Sequence, residues 1–451
     1  MSLLDTVVNK GSEEYFLPYI NTGTLFDIAT GRYRAGTKNN SVLDGGISNC
    51  MGITGRAQTY KSGLAGSLIA RAMCIHPRAE ALVWDTENTV VGAERYNDFV
   101  PANTPVSNRI SFMNATNVNL SEFYEYIKKI ANEKLEHKKD YLVDSPFLNP
   151  FTNKPFKTWV PTFVLIDSFS RARSTKGDTQ FEDNNIDNSS MNTFYLNDGM
   201  AKTRLMNDLP TRASKAGIFV ILTAHVGDTM DLDPYAPTPK QLQYMKRSDR
   251  VKNVGSGYEF LTTSMMQTLK AEVMQDSSKH CLYPDVYSTD NEVNLVTTMM
   301  VRSKSNASGA EVKYVLSQSQ GILNSVTNFN FLRQYKNFGM TVKGNNQNFS
   351  PYLLPEVNLT RQNIRKTTAE NYRAARALEL TAQLCYIQNL WNKFRLPEYI
   401  STPVEKFAEL LTHNEKMGVD RVLESTGSWS TSKQDREVLS ILDVLTYLVK
   451  K

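Results

Sequence analysis

Short apolar runs alternate with longer polar stretches through the first two thirds of the chain. Residues 51–54, 81–84, 163–166 and 217–223 are mostly apolar runs of strand length, the pattern of strands buried on both faces. Residues 61–74 carry apolar positions at helical spacing directly after the first run. Strands alternating with helices predict an α/β fold with a mostly parallel sheet flanked by helices. Residues 293–301 and 311–316 read as two further strands, joined by the turn-like Asn306-Ala-Ser-Gly309 into a hairpin at the sheet's far edge.

The pattern changes near residue 335. Residues 345–355, rich in Asn, Gln and Pro, read as a linker, and 359–394 as one long helix with Ile364, Leu380, Leu384, Ile387 and Leu390 among its apolar positions. Thr402-Pro403-Val-Glu405 has the form of a capping box with proline at the first helical position. Ser432 with Asp435 reads as the start of a last helix carrying Val438, Ile441, Leu442, Leu445 and Leu448. The expected division is a core over 46–335, a linker over 336–358 and a small C-terminal helical domain over 359–451.

Composition narrows the class. The chain of 451 residues is long enough for a substantial core, and its apolar runs fall far short of the roughly 20 residues a membrane span needs. The opening Met-Ser-Leu-Leu-Asp lacks the basic and apolar regions of a leader, so a cytoplasmic address and no membrane partner are expected. Four scattered cysteines without a CxxC pair, and only five histidines, indicate neither a disulfide framework nor a zinc site. A net charge of +5 is too mild to argue for nucleic acid by its total; local clusters must carry that case.

The candidate chemistry lies where the apolar runs end. After the first, Gly55-Arg-Ala-Gln-Thr-Tyr-Lys61-Ser62 fits a phosphate-binding loop, G-x-x-x-x-G-K-[ST], with Tyr60 in place of the second glycine. Such a loop cradles phosphates with backbone N–H groups at a helix N-terminus, while lysine reaches the β- and γ-phosphates and serine holds Mg²⁺. The second run ends in Asp85-Thr-Glu87, the third in Asp167-Ser168 and the fourth in Thr223-Ala-His225. One carboxylate suits a Mg²⁺ shell (Asp167), another an attacking water (Glu87), and His225 a γ-phosphate contact. Each alone also reads as a solvated strand end or a structural histidine; four in succession at one sheet edge do not.

In this order the motifs resemble the RecA-like recombinase ATPases, most closely the UvsX-type recombinases of large bacteriophages. The parallels run through Asp44-Gly-Gly-Ile47, Gly52-Ile-Thr-Gly55, Gln58-Thr-Tyr-Lys-Ser62, Trp84-Asp-Thr-Glu87, Leu165-Ile-Asp-Ser168, Thr223-Ala-His225, Val301-Arg-Ser-Lys304 and Gln320-Gly-Ile322. UvsX-type proteins also carry an aromatic residue before the P-loop lysine and a histidine where bacterial RecA has glutamine. The resemblance covers roughly residues 20–330. It implies a RecA-type P-loop ATPase core, with 1–45 as an N-terminal oligomerisation segment, and ATP and Mg²⁺ as cofactors.

By the same resemblance, Gly55, Gln58, Thr59, Tyr60, Lys61 and Ser62 hold the nucleotide. Ser62 and Asp167 are the metal ligands, Glu87 the catalytic glutamate and His225 the nucleotide sensor. The family's adenine-stacking tyrosine follows the catalytic glutamate; Tyr96 is the nearest match, somewhat farther along than the family spacing. Arg302 and Lys304 match basic residues that reach a neighbouring subunit's γ-phosphate, a contribution worth about 10³–10⁵ in rate where it operates. Spacing of two on a strand equally describes an exposed strand face.

DNA binding in the family is the work of two loops, one after the Walker B strand and one after the sensor strand. Here they are 170–193, opening with Arg171, Arg173 and Lys176, and 228–257, with Lys240, Lys246, Arg247, Arg250 and Lys252 beside Tyr235 and Tyr244. Cations there neutralise phosphates and rings stack on bases. Asp178, Glu182 and Asp183 in the first loop work against phosphate, and the chain ends in Lys450-Lys451 without an acidic tail. The resemblance implies a DNA-dependent ATPase that forms a helical filament on single-stranded DNA and exchanges strands with double-stranded DNA in recombination, repair and replication. A single-strand-binding protein and a loader are its candidate partners. Two alternatives stay open: a RecA-core hexameric replicative helicase, and a non-hydrolysing DNA-binding scaffold on the same fold.

Overall fold

The apolar runs become the middle of one ten-stranded sheet. In chain order its strands are β1 (Cys50–Gly55), β2 (Glu80–Asp85), β3 (Ile110–Asn114), β4 (Thr162–Asp167), β5 (Ile218–Asp228), β6 (Asp249–Val251), β7 (Ser264–Val273), β8 (Val293–Ser303), β9 (Glu311–Ser317) and β10 (Gly321–Ile322). The computed structural model describes residues 15–89, 92–114, 118–174, 191–228, 242–255, 257–285, 292–305, 307–345, 347–391, 402–414 and 416–449. Across the sheet the order is β10-β9-β8-β7-β1-β5-β4-β2-β3, with β6 paired to the far half of β5. From β7 to β3 the strands are parallel; β8 joins β7 antiparallel, and β9 and β10 each add antiparallel to the strand before.

Beside β1 the winding reverses. β2 lies beyond β5 and β4 on one side, while β7 and its successors build outward on the other. In open α/β sheets, the crevice outside the strands' carboxyl ends at such a reversal is where ligands bind.

Both faces are covered. Helix α1 (Lys61–Ile75) packs on one face, α2 (Leu120–Glu136) and α3 (Met191–Lys215) on the other. Strand alternation sorts side chains between them: Ala81 and Val83 join the α1 side, Leu82 and Trp84 the α2 side, where Trp84 stacks on Phe123 with ring centres 4.9 Å apart. Helix α2 starts on a reciprocal cap in which Asn119 accepts from the Ser121 and Glu122 N–H groups and Glu122 accepts from Asn119 N–H.

The C-terminal third consists of α4 (Asn324–Gln334), α5 (Ile364–Glu370), α6 (Tyr372–Leu390), α7 (Val404–Thr412), α8 (Val419–Glu424) and α9 (Ile441–Val449). Leu378, Leu380, Leu384 and Ile387 of α6 lie in the same apolar cluster as Leu64, Leu68 and Ile69 of α1. The helical unit therefore shares a core with the sheet. Part of the segment 1–45 does so too: the short helix Leu25–Thr30 is wholly buried and Ile20 bridges to Ile47.

Several elements differ from the sequence reading. The expected long helix over 359–394 is divided at Asn371, whose side chain accepts from Ala374 N–H and starts α6 afresh. The expected linker over 336–358 holds a hairpin, Met340–Lys343 against Asn348–Pro351, with Phe349 buried in the main core. Pro403 stands just outside α7 as its N-cap rather than as the first helical residue. The last helix begins at Ile441 instead of near Ser432. Its reciprocal cap is Ser440 with Asp443: Asp443 accepts from Ser440 N–H at 2.9 Å and Ser440 Oγ accepts from Asp443 N–H at 3.1 Å. Among the described residues, no helix is long and apolar enough to cross a membrane.

Candidate nucleotide site

The turn from β1 into α1 is shaped by close contacts. A β-carbon on Gly55 would stand 1.9 Å from Thr268 Oγ1, so only glycine lets the loop leave β1 against β7. Gln58 and Tyr60 both take left-handed backbone, at φ +60° and +62°. The second position is the one at which the P-loop pattern asks for glycine, and the reason is this conformation. Tyr60 occupies it with its ring half-buried and its hydroxyl accepting from Asn294 Nδ2 at 2.7 Å. Thr59 Oγ1 donates to Arg56 O at 2.8 Å and lies 2.6 Å from Thr268 Oγ1.

Lys61 and Ser62 open α1. Lys61 is buried and its ammonium donates to Arg56 O at 2.8 Å. Burial lowers its proton affinity, while Asp167 and Glu87 act to hold the charge. Ser62 hydrogen-bonds Asp167, which also accepts from Thr223 Oγ1. Burial raises the Asp167 carboxyl above its ordinary range despite both bonds. A buried carboxylate beside a hydroxyl at a helix N-terminus is a set of hard oxygen donors, which fits Mg²⁺ held with phosphate oxygens. Ser62 and Asp167 are the residues that would hold it.

Glu87 is brought to the same edge by the turn after β2. Asp85, the strand's last residue, accepts from Glu87 N–H at 2.9 Å and Thr89 N–H at 2.7 Å, and so shapes the turn. Glu87 Oε1 accepts from His225 Nε2 and from Ser168 Oγ, each at 2.7 Å, with Arg171 Nε 3.6 Å away. The His225 bond, with Ser168 and Arg171 adding to it, holds the Glu87 carboxyl down at about 2. Glu87 is thus ionised, but its charge is shared with its neighbours.

His225 is not at the end of its strand. β5 continues to Asp228, because β6 returns along it with Asp249 opposite Asp228 and Val251 opposite Val226. The second loop of the sequence reading is therefore a paired ribbon at its base. Lys252 N–H donates to His225 O, and His225 N–H to Ser170 Oγ, which in turn donates to Lys252 O. The bases of both candidate DNA loops meet at His225.

Other expected residues fall elsewhere. Tyr96 is 3 % exposed, edge-on to Phe99 and close over Gly66 of α1, so it presents no free face for stacking. Arg302 and Lys304 lie at the opposite end of the sheet, since β8 runs antiparallel and ends beside the start of β7. Arg302 donates there to the Thr262 and Phe260 carbonyls. Arg171, Arg173, Lys246, Arg247, Arg250 and Lys252 are all exposed. Lys240, Lys176, Tyr235 and the acidic Asp178, Glu182 and Asp183 lie outside the described residues.

Three residues without a role in the sequence reading belong to the site. Ser168 tethers Glu87, and Thr223 holds Asp167. Arg56 reaches across the loop to Asp228 and Asp249, the last at 2.9 Å, joining the P-loop to the ribbon. Arg56 stands at a position where the motif asks for nothing, so only its distance from two aspartates could have marked it. An open cleft of about 2330 Å³ runs from Lys61, Glu87, Asp167 and His225 along α1 to Tyr372 and Arg376 of α6. No family model matches the chain, and no curated protein matches it.

Proposed function

We propose that this chain is a RecA-like, ATP- and Mg²⁺-dependent DNA recombinase, cytoplasmic, that forms filaments on single-stranded DNA and promotes homologous pairing and strand exchange. The observation that carries the reading is the carboxylate of Glu87. It sits among Lys61, Ser62 and Asp167 at one edge of the sheet and is bonded through His225 and Ser168 to the bases of the two cationic loops. Lys61 and the backbone N–H groups around it would bind the β- and γ-phosphates, with Ser62 and Asp167 holding Mg²⁺. Glu87 would orient the attacking water once His225 releases it. DNA held by Arg171, Arg250 and Lys252 would act on His225 through the same hydrogen bonds. Arg302 and Lys304, at the sheet's other end, would serve a neighbouring copy.

The test is ATP hydrolysis with and without single-stranded DNA, together with electron microscopy of the full chain on single-stranded DNA with a non-hydrolysable ATP analogue. DNA-stimulated hydrolysis, helical filaments and loss of both in Lys61→Ala are expected. Closed rings that separate strands would replace the recombinase with a helicase, and a folded chain with no ATP affinity would replace it with a scaffold.

A further inference from the structure

We infer that Arg56 is a positioning residue that couples the loop opening α1 to the β5–β6 ribbon, so that a ligand at Lys61 and a ligand along the ribbon change each other's affinity; the inference rests on the proposed nucleotide and DNA sites. Arg56 is held at both ends. Its carbonyl accepts from Lys61 Nζ and from Thr59 Oγ1, each at 2.8 Å. Its guanidinium forks onto the ribbon: Nη1 donates to Asp228 Oδ2 at 3.2 Å, and Nη2 donates to Asp228 Oδ1 and, at 2.9 Å, to Asp249 Oδ1. Asp228 and Asp249 stand opposite each other on β5 and β6, so one side chain grips both strands.

The two aspartates differ in weight. Asp228 is 66 % exposed, and water and salt weaken its half of the contact. Asp249 is 3 % exposed, and its Oδ2 accepts from Gln267 Nε2 of β7 at 2.6 Å. The next residue of β7, Thr268, meets Thr59 with the two hydroxyl oxygens 2.6 Å apart. Arg56 is therefore fixed to β7 twice, through Asp249 beyond its side chain and through Thr59 beside its carbonyl. Phosphate at the start of α1 would compete with Arg56 O for the Lys61 ammonium, and DNA drawn to Lys246, Arg247, Arg250 and Lys252 would act on Asp249, which lies among them in the sequence. Each ligand bears on one end of Arg56, and such a coupling is reciprocal. This connection is distinct from the one through Glu87 and His225.

Calorimetric titration of the full chain with a non-hydrolysable ATP analogue in Mg²⁺, with and without a saturating thymidine oligonucleotide, gives the coupling as the ratio of the two affinities. A variant that binds either probe more weakly by itself leaves that ratio unchanged. The expected ratio is about fivefold or more in the wild type, close to one in Arg56→Met and intermediate in Arg56→Lys, which keeps the charge and loses the fork. A thermal melt checks each variant; if Arg56→Met does not fold, Asp228→Asn, at the exposed carboxylate, takes its place and should lower the ratio. A wild-type ratio of one, or a ratio unchanged in the folded variant, overturns the inference and leaves the nucleotide site standing. A wild-type chain that binds neither probe overturns the inference and the proposed function together.

Discussion

At the scale of single residues, the state of Glu87 is the most consequential quantity. Three groups surround one carboxylate, and its proton affinity is lowest where His225 donates to it. On the proposed ATPase reading, replacing Glu87 with glutamine should leave ATP binding intact and reduce turnover by about 10²–10⁴, the usual effect of losing a positioned base, as steady-state ATPase assays would show. Replacing His225 with alanine removes the bond that depresses Glu87 most. The carboxyl then takes up its proton at higher pH, so on the proposed ATPase reading the acid limb of the rate profile should move upward; an unmoved limb would mean that His225 does not hold Glu87 during turnover. The strand-end carboxylates were legible in the sequence because each comes directly after its own apolar run. Ser168 and Thr223 were not, because a hydroxyl's partner is chosen by sheet register, and register between β4 and β5 is a long-range property.

At the scale of elements, one buried lysine ties a helix to the start of two strands. Lys134, in the last turn of α2, donates to Val160 O at 2.7 Å, Thr162 Oγ1 at 3.1 Å and Gly217 O at 3.3 Å. Burial lowers its proton affinity to about 7, against an ordinary value near 10.4. Between these values the unfolded chain binds the extra proton, so this group makes stability rise with pH from about 7 toward 10. Lys134→Met should flatten that rise in urea midpoints measured across the window; an unchanged slope would assign it to other groups. Element reading from the sequence succeeded where periodicity is local and failed where a tertiary partner decides. β5 outruns its apolar stretch because β6 pairs with it at Val226, Gly227 and Asp228, and the helix expected over 359–394 breaks because Asn371 caps α6.

At the scale of the whole molecule, the C-terminal helices and the sheet are held by one core, and a histidine marks the seam. His76 ends α1, its Nδ1 accepts from Thr431 N–H, and its ring stands edge-on to Trp429. That bond leaves the proton of the neutral ring on Nε2. Burial pushes the imidazole's proton affinity down to about 3. The unfolded chain therefore binds more protons between about 3 and 6.5, and the group's contribution is complete above 6.5 and lost as pH falls through that window. His76→Gln should weaken the acid dependence of thermal stability, with Thr431 still offered an acceptor. Composition suggests a division into core, linker and helical domain, and it does not report that residues of α6 and α1 lie in one apolar cluster.

The strand order carries one more implication, for self-association. One edge of the great sheet is the five-residue β3; the other ends in β10, only two residues long. Beyond its pairing with β10, the rest of β9 is flanked by α4, which offers Thr327 Oγ1 to Val315 N–H, and bears the charged Glu311 and Lys313. On this side, among the described residues, little ladder is left for another chain to extend, whereas β3 ends the sheet on the other side with its five residues mostly half-buried. A chain that lengthened this sheet by strand addition would therefore have to join at β3 rather than at β10.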